Sequence, residues 1–243
     1  MVSDDYVWLI WSSAFLVPWG LLYWRFPRHR RPMVWASLLT APLGLTEPLF
    51  VPEYWSPPSL FELNRLTGFD IESVIFCFGV GGVGVVLYDV LTRRRTVPLH
   101  GAERQHTRHR LHLWAVVAPF VLFTPLYFLP WNPIFAGIAT MAVGAVAASL
   151  CRQDLTRKAL VGGCIFLIFY LVFLGGLEFA VPGYIARVWN LEALSGLRIA
   201  VFPVEELLFA FAFGAYWSGV YEHLTWHRTE AAGGQVFLAG ASR

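Results

Sequence analysis

The sequence predicts an all-α, polytopic membrane protein with seven transmembrane helices, and three observations carry that reading. The 243 residues are 57% hydrophobic and only 14% charged, whereas soluble domains carry about 25% charged residues, and the mean hydropathy is +0.56. Seven apolar runs of about 17–25 residues are long enough to cross a hydrocarbon core as helices. The basic residues collect on alternate connections between those runs, as the positive-inside rule asks of a multi-pass chain.

The first run, about 6–24, opens with Asp4 and Asp5 instead of a basic stretch and is too long for a cleavable signal peptide. Runs follow at about 32–52, 71–91, 111–129, 133–151, 159–181 and 198–222. All are continuously apolar, without the alternation of barrel strands, so a β-barrel is set aside. The connections after the first, third and fifth runs hold Arg25, Arg28, Arg30 and Arg31, then Arg93, Arg94, Arg95, Arg104, Arg108 and Arg110, then Arg152, Arg157 and Lys158. Arg228 and Arg243 lie in the tail, and the opposite side keeps only Arg65, Arg187 and Arg198. This split predicts a cell-membrane protein with the N-terminus outside and the C-terminus in the cytoplasm. Three cysteines, two inside apolar runs and one at the end of one, give no disulfide framework. A net charge of +2 leaves no nucleic-acid footprint. The length suits a single membrane domain, 1–243, ending in a tail at 225–243.

The chain repeats itself at a shift of 133. Phe69-Asp70-Ile71-Glu72 falls over Phe202-Pro203-Val204-Glu205, Phe76 over Phe209, Gly81 over Gly214, Tyr88 over Tyr221 and Asp89 over Glu222. Phe50-Val51-Pro52 resembles Ala180-Val181-Pro182, each followed by a tyrosine, Tyr54 or Tyr184. The expected architecture is therefore two parallel three-helix repeats, about 6–91 and 133–224, joined by an extra helix at about 111–129 that keeps both copies in one orientation.

Carboxylates in apolar runs mark the candidate site. Glu47, Glu72, Glu178, Glu205 and Glu206 lie within or at the ends of such runs, where an ionised group costs about 3 kcal/mol or more unless it faces the bundle interior. By the orientation above, all five belong to the outer half of the membrane and can converge on one pocket. Some can equally serve as helix N-terminal groups stabilised by the macrodipole. Adjacent Glu205 and Glu206 point about 100° apart on a helix. Burial and a neighbouring carboxylate both favour a retained proton, so one of the pair can act as an acid while another carboxylate acts as base. Phe76, Phe202, Phe209 and Phe213 are the expected aromatic lining, suited to an apolar substrate and to a cation.

Pro203-Val204-Glu205-Glu206, followed by Leu207-Leu208-Phe209, resembles the Pro-x-Glu-Glu motif of the integral-membrane lycopene cyclases, which occur as heterodimeric bacterial, fused archaeal and fungal bifunctional forms. The resemblance extends to the layout, since that family also consists of two three-helix units with an extra helix when fused. It implies Glu205 and Glu206 as the acid/base residues. It also implies lycopene β-cyclisation in carotenoid biosynthesis: protonation of a terminal alkene, closure of a six-membered ring, and loss of a proton. The first repeat departs from the motif, because Asp70-Ile71-Glu72-Ser73 lacks the proline and the second glutamate.

Such a reaction is redox-neutral, and no cofactor and no metal are expected. The expected partners are a hydrophobic polyene or other isoprenoid substrate and membrane lipid. Gly79-Val80-Gly81-Gly82-Val83-Gly84 matches a dinucleotide-binding fingerprint but sits inside an apolar helix with no strand before it, so it reads as small residues for close helix packing. No D-x-x-x-D cluster supports magnesium–diphosphate chemistry. His100, His106, His109 and His112 precede or open the fourth run, and His223 and His227 are four apart. A histidine-box oxygenase is thus the rival enzyme, although the interleaved arginines suit contact with anionic lipid better. A proton-coupled transporter and a carotenoid-binding protein are the non-enzymatic alternatives.

Overall fold

The computed structural model describes residues 4–231. It is 76% helical, so the helical class holds, and five of its helical stretches are long and apolar enough to cross a membrane. The first is α1 (Asp4–Ala14) with α2 (Leu16–Arg25). The break between them follows from Pro18, which has no N–H for the turn that would join them. Next comes α3 (Arg30–Thr40), which passes into a 3₁₀ stretch, Ala41–Leu49. Pro42 and Pro48 withhold two backbone donors there, so the second apolar run is not a continuous α-helix. After the short α4 (Leu63–Thr67), α5 (Ile71–Leu91) runs through the centre of the bundle, and it is the most enclosed of the spans.

A strand, β1 (Arg94–Pro98), and a short helix, α6 (Gly101–Arg104), lead into α7 (His112–Tyr127), which carries Pro119 and Pro125 and is the most peripheral span. α8 (Pro133–Cys151) starts at an Asn132 cap whose side chain accepts from the N–H of Ile134, and α9 (Thr156–Ala180) returns across the bundle. Then come α10 (Tyr184–Val188), the two-residue strands β2 (Arg198–Ile199) and β3 (Phe202–Pro203), α11 (Val204–Trp217), α12 (Val220–Thr225) and β4 (His227–Ala231). The all-α expectation needs one amendment: β1 pairs with β4, and β2 with β3, as two small antiparallel ribbons. The seventh run is also shorter as helix than expected. Its first residues form the β2–β3 hairpin, and the helix breaks at Ser218–Gly219.

α5 and α11 form the core of the bundle. α11 packs on α8 and α9, α3 packs on α5, and α7 lies on α8. The glycine run at 79–84 does serve packing. A Cβ on Gly81 would overlap the Thr40 side chain, and one on Gly82 would overlap Ser37 and Trp19. On the α1 side of α5 an aromatic wedge fills the interior: the Phe15 ring, fully buried, lies 4.8 Å from Phe173, 5.3 Å from Phe169 and 5.6 Å from Phe76.

Candidate active site

Beside this wedge, with Phe76 shared between the two, lies a cavity of about 330 Å³. Its floor and walls come from the 3₁₀ stretch (Gly44, Glu47), α5 (Phe76, Val80), α8 (Gly137, Met141), α9 (Tyr170) and α11 (Phe209, Phe213). Phe209, Phe213 and Trp217 form a row along one helix face, with successive ring centroids 6.3 and 5.9 Å apart. Beside the cavity, hydrogen bonds tie the 53–56 segment to the 188–190 segment and to the start of α8. Asn190 N–H donates to the Tyr54 carbonyl and Ser56 N–H to the Val188 carbonyl, both at 2.9 Å, and Asn132 Nδ2 donates to the Glu53 carbonyl at 2.7 Å. The lining reaches the surface between α7 and the 3₁₀ stretch. There Phe120 is 49% exposed and the rings of Phe50 and Phe123 stand 5.9 Å apart.

Two of the five singled-out carboxyls line this cavity, Glu206 and Glu47. Their surroundings are opposite. Glu206 Oε1 accepts from the Tyr54 hydroxyl and from Trp189 Nε1 (2.6 Å), and Oε2 accepts from the Tyr170 hydroxyl (2.9 Å). Three donors converge on one carboxyl, which suits the ionised, acceptor-only form. Glu47 is buried beside Asp70 and Ser73, yet neither of its oxygens completes a hydrogen bond of good geometry, and Asp70 Oδ2 is likewise unmatched. Glu47 thus stands beside a second carboxyl, whereas Glu206 is surrounded by donors.

The other three carboxyls hold loops. Glu72 and Glu205, each fully buried, occupy the first turns of α5 and α11 and accept from backbone N–H groups of the preceding loops: Leu60 to Glu72 at 2.7 Å and Ser195 to Glu205 at 2.8 Å. The two are therefore alike in place and task, as their pairing at the 133 shift suggests. Glu178 accepts from the N–H of Gly183 (2.5 Å) and of Ile185 (3.1 Å), fixing the turn into α10, where Gly183 holds φ +78°. Phe202 stands in β3 outside the lining, whereas Phe76, Phe209 and Phe213 are in it. The structure thus brings together Glu47, Glu206, Phe76, Phe209 and Phe213, and leaves Glu72, Glu178, Glu205 and Phe202 outside the cavity. Glu205 and Glu206, about 100° apart on α11, meet different surroundings: Glu206 lines the cavity and Glu205 accepts from Ser195 N–H.

Sequence reasoning missed Tyr54, Tyr170, Trp189 and Asp70. Tyr54 and Asp70 both sit within the repeated segments, and that was their only signal. Trp189 comes from the loop at 182–197 and had none.

A helical protein with membrane-length apolar spans and an aromatic-lined cavity holding two carboxyls, Glu206 and Glu47, is the class that the fold and site define. Residues 132–224, from the cap of α8 into α12, match the family model for lycopene cyclase. The match supports a lycopene cyclase family member over that stretch, and the resemblance carried by Pro203-Val204-Glu205-Glu206 lies within it. No curated protein sequence and no solved structure matches the chain.

Proposed function

We propose that the protein is a redox-neutral acid/base cyclase of a linear isoprenoid, with lycopene the most direct substrate. The observation that carries this reading is the contrast between Glu206 and Glu47 across one apolar cavity, within a chain whose residues 132–224 match the lycopene cyclase family model. Glu47 is the acid: it gives its proton to the terminal alkene, leaving a tertiary cation. The π electrons of a nearer alkene close the six-membered ring and move the positive charge onto a ring carbon. The rings of Phe76, Phe209 and Phe213 and the anionic Glu206 stabilise that charge. Glu206 then removes a proton from the adjacent carbon, restoring a double bond. Substrate and product are isomers, and the cycle closes when the proton gained at Glu206 returns to Glu47. Glu205 and Glu72 support the site by anchoring its loops.

The same proposal includes seven membrane crossings, with α3 and its 3₁₀ extension as the second and α11 with α12 as the seventh. It includes two parallel repeats, with the N-terminus outside. The deciding experiment is pigment analysis of a lycopene-accumulating host expressing the chain. Cyclic carotenes are the expected result, and unchanged lycopene with protein in the membrane would refute lycopene as substrate.

A further inference from the structure

At the end of the bundle remote from the cavity, three groups from two distant segments meet. Contact with lipid suits His100 and His106, which are exposed, but not His109, which is 7% exposed. His109 Nδ1 lies 3.4 Å from Cys151 Sγ, and His112 Nδ1 lies 3.4 Å from the same sulfur. In a tetrahedral site with Zn–S about 2.3 Å and Zn–N about 2.0–2.1 Å, nitrogen and sulfur ligands stand about 3.5 Å apart. The His112 ring is also set for ligation. Its Nε2 donates to the His223 carbonyl at 2.8 Å, which leaves the Nδ1 lone pair toward the sulfur, the outer-shell arrangement usual for a metal-bound histidine. The ring is fixed between Trp226 and His223, with centroids 3.7 and 4.0 Å away, and His223 Nε2 in turn donates to the His112 carbonyl at 3.0 Å.

We propose that His109, His112 and Cys151 bind one borderline-soft divalent ion, zinc by ligand preference, through His109 Nδ1, His112 Nδ1 and the Cys151 thiolate, with a fourth position open. The ion clamps the start of α7, the most peripheral span, to the end of α8. On binding, the Cys151 thiol proton leaves to solvent and the His109 ring proton resides on Nε2. Arg108 Nε, 3.4 Å from that nitrogen, must then turn away, and its exposed side chain is free to do so. The expectation of no metal considered histidines alone, and Cys151 lies 42 positions beyond His109. The rival arrangement needs no ion. Arg108 donates to His109 Nε2, His109 Nδ1–H donates to the sulfur, and the thiol donates to His112 Nδ1.

The test uses full-length protein purified in detergent without a polyhistidine tag, stripped with chelator and dialysed against zinc or cobalt(II). One metal per chain is expected, with a thiolate-to-cobalt charge-transfer band in the near ultraviolet and a rise in Tm on adding zinc. Cys151→Ser should lose the band and the Tm response, and Cys77→Ser should keep both. Arg108→Ala should bind zinc as well as the parent or more tightly. Sub-stoichiometric metal in the folded parent, or an unchanged band in Cys151→Ser, overturns the proposal. So does an Arg108→Ala variant whose Tm falls and does not respond to zinc, which identifies the hydrogen-bonded chain.

Discussion

Glu206 is held by three donors and no acceptor, so replacing one of its oxygens by an amide turns an N–H₂ group against a tyrosine hydroxyl or the Trp189 indole. Glu206→Gln should therefore lower turnover by about 10²–10⁴-fold, the range for a general acid–base group, and Glu47→Gln should do the same by removing the transferable proton. Glu205→Gln behaves differently: its amide oxygen still accepts from Ser195 N–H, so turnover per folded molecule should stay near the parent value. Glu205→Ala should instead lower Tm, because it removes a buried hydrogen bond to an ionisable group, worth about 1.5–3 kcal/mol. Rates on detergent-solubilised variants, normalised by size-exclusion profiles, separate the two effects. Loss of turnover in a folded Glu205→Gln protein would restore the adjacent pair as the acid/base unit.

Among the elements, α5, α9 and α12 meet at a buried ionic cluster. Lys158 Nζ lies 2.6 Å from Asp89 Oδ2 and 2.9 Å from Glu222 Oε1, all at most 2% exposed, and Thr96 in β1 also donates to Glu222. The two acids that the 133 shift pairs thus share one lysine. Lys158→Met leaves two carboxyls uncompensated and should destabilise the fold by about 3–5 kcal/mol, read as a lost monodisperse peak and a lowered Tm. The triple replacement of all three residues by apolar ones should recover much of it. Lys158 and Arg152 were counted in the sequence as loop charges. In the structure Arg152 is fully buried, binding Asp154 and the carbonyls of Glu222 and His227. What the sequence made legible follows from what hydropathy measures. The runs 71–91 and 133–151 coincide with α5 and α8, because nothing interrupts their backbone bonding. The second and seventh runs differ because Pro42, Pro48, Pro203 and Gly219 act on the backbone, to which a hydropathy window is blind. The site divides the same way. Buried acids announce themselves by their cost, but whether a carboxyl faces a cavity or a loop N–H depends on an angle of rotation that the pattern cannot supply.

At the scale of the whole molecule, the proposed orientation places the 182–197 loop outside and the 96–104 segment inside. Accessibility labelling of single cysteines in a background lacking Cys77, Cys151 and Cys164 should mark the first from outside intact cells and the second only after permeabilisation. The reverse pattern would invert the orientation without moving the cavity.

The surface exposure of the cavity lining between α7 and the 3₁₀ stretch has a consequence for how the proposed cyclase must be measured. In the proposed reaction a long polyene reaching Glu206 past Phe120 comes from the acyl layer, so the concentration that the protein experiences is a mole fraction in two dimensions. At fixed amounts of protein and substrate, adding inert phospholipid should slow the reaction in inverse proportion, while enlarging the aqueous volume should leave it unchanged. The Michaelis constant of this molecule would then be a property of a surface, and its saturation would be set by the crowding of the bilayer.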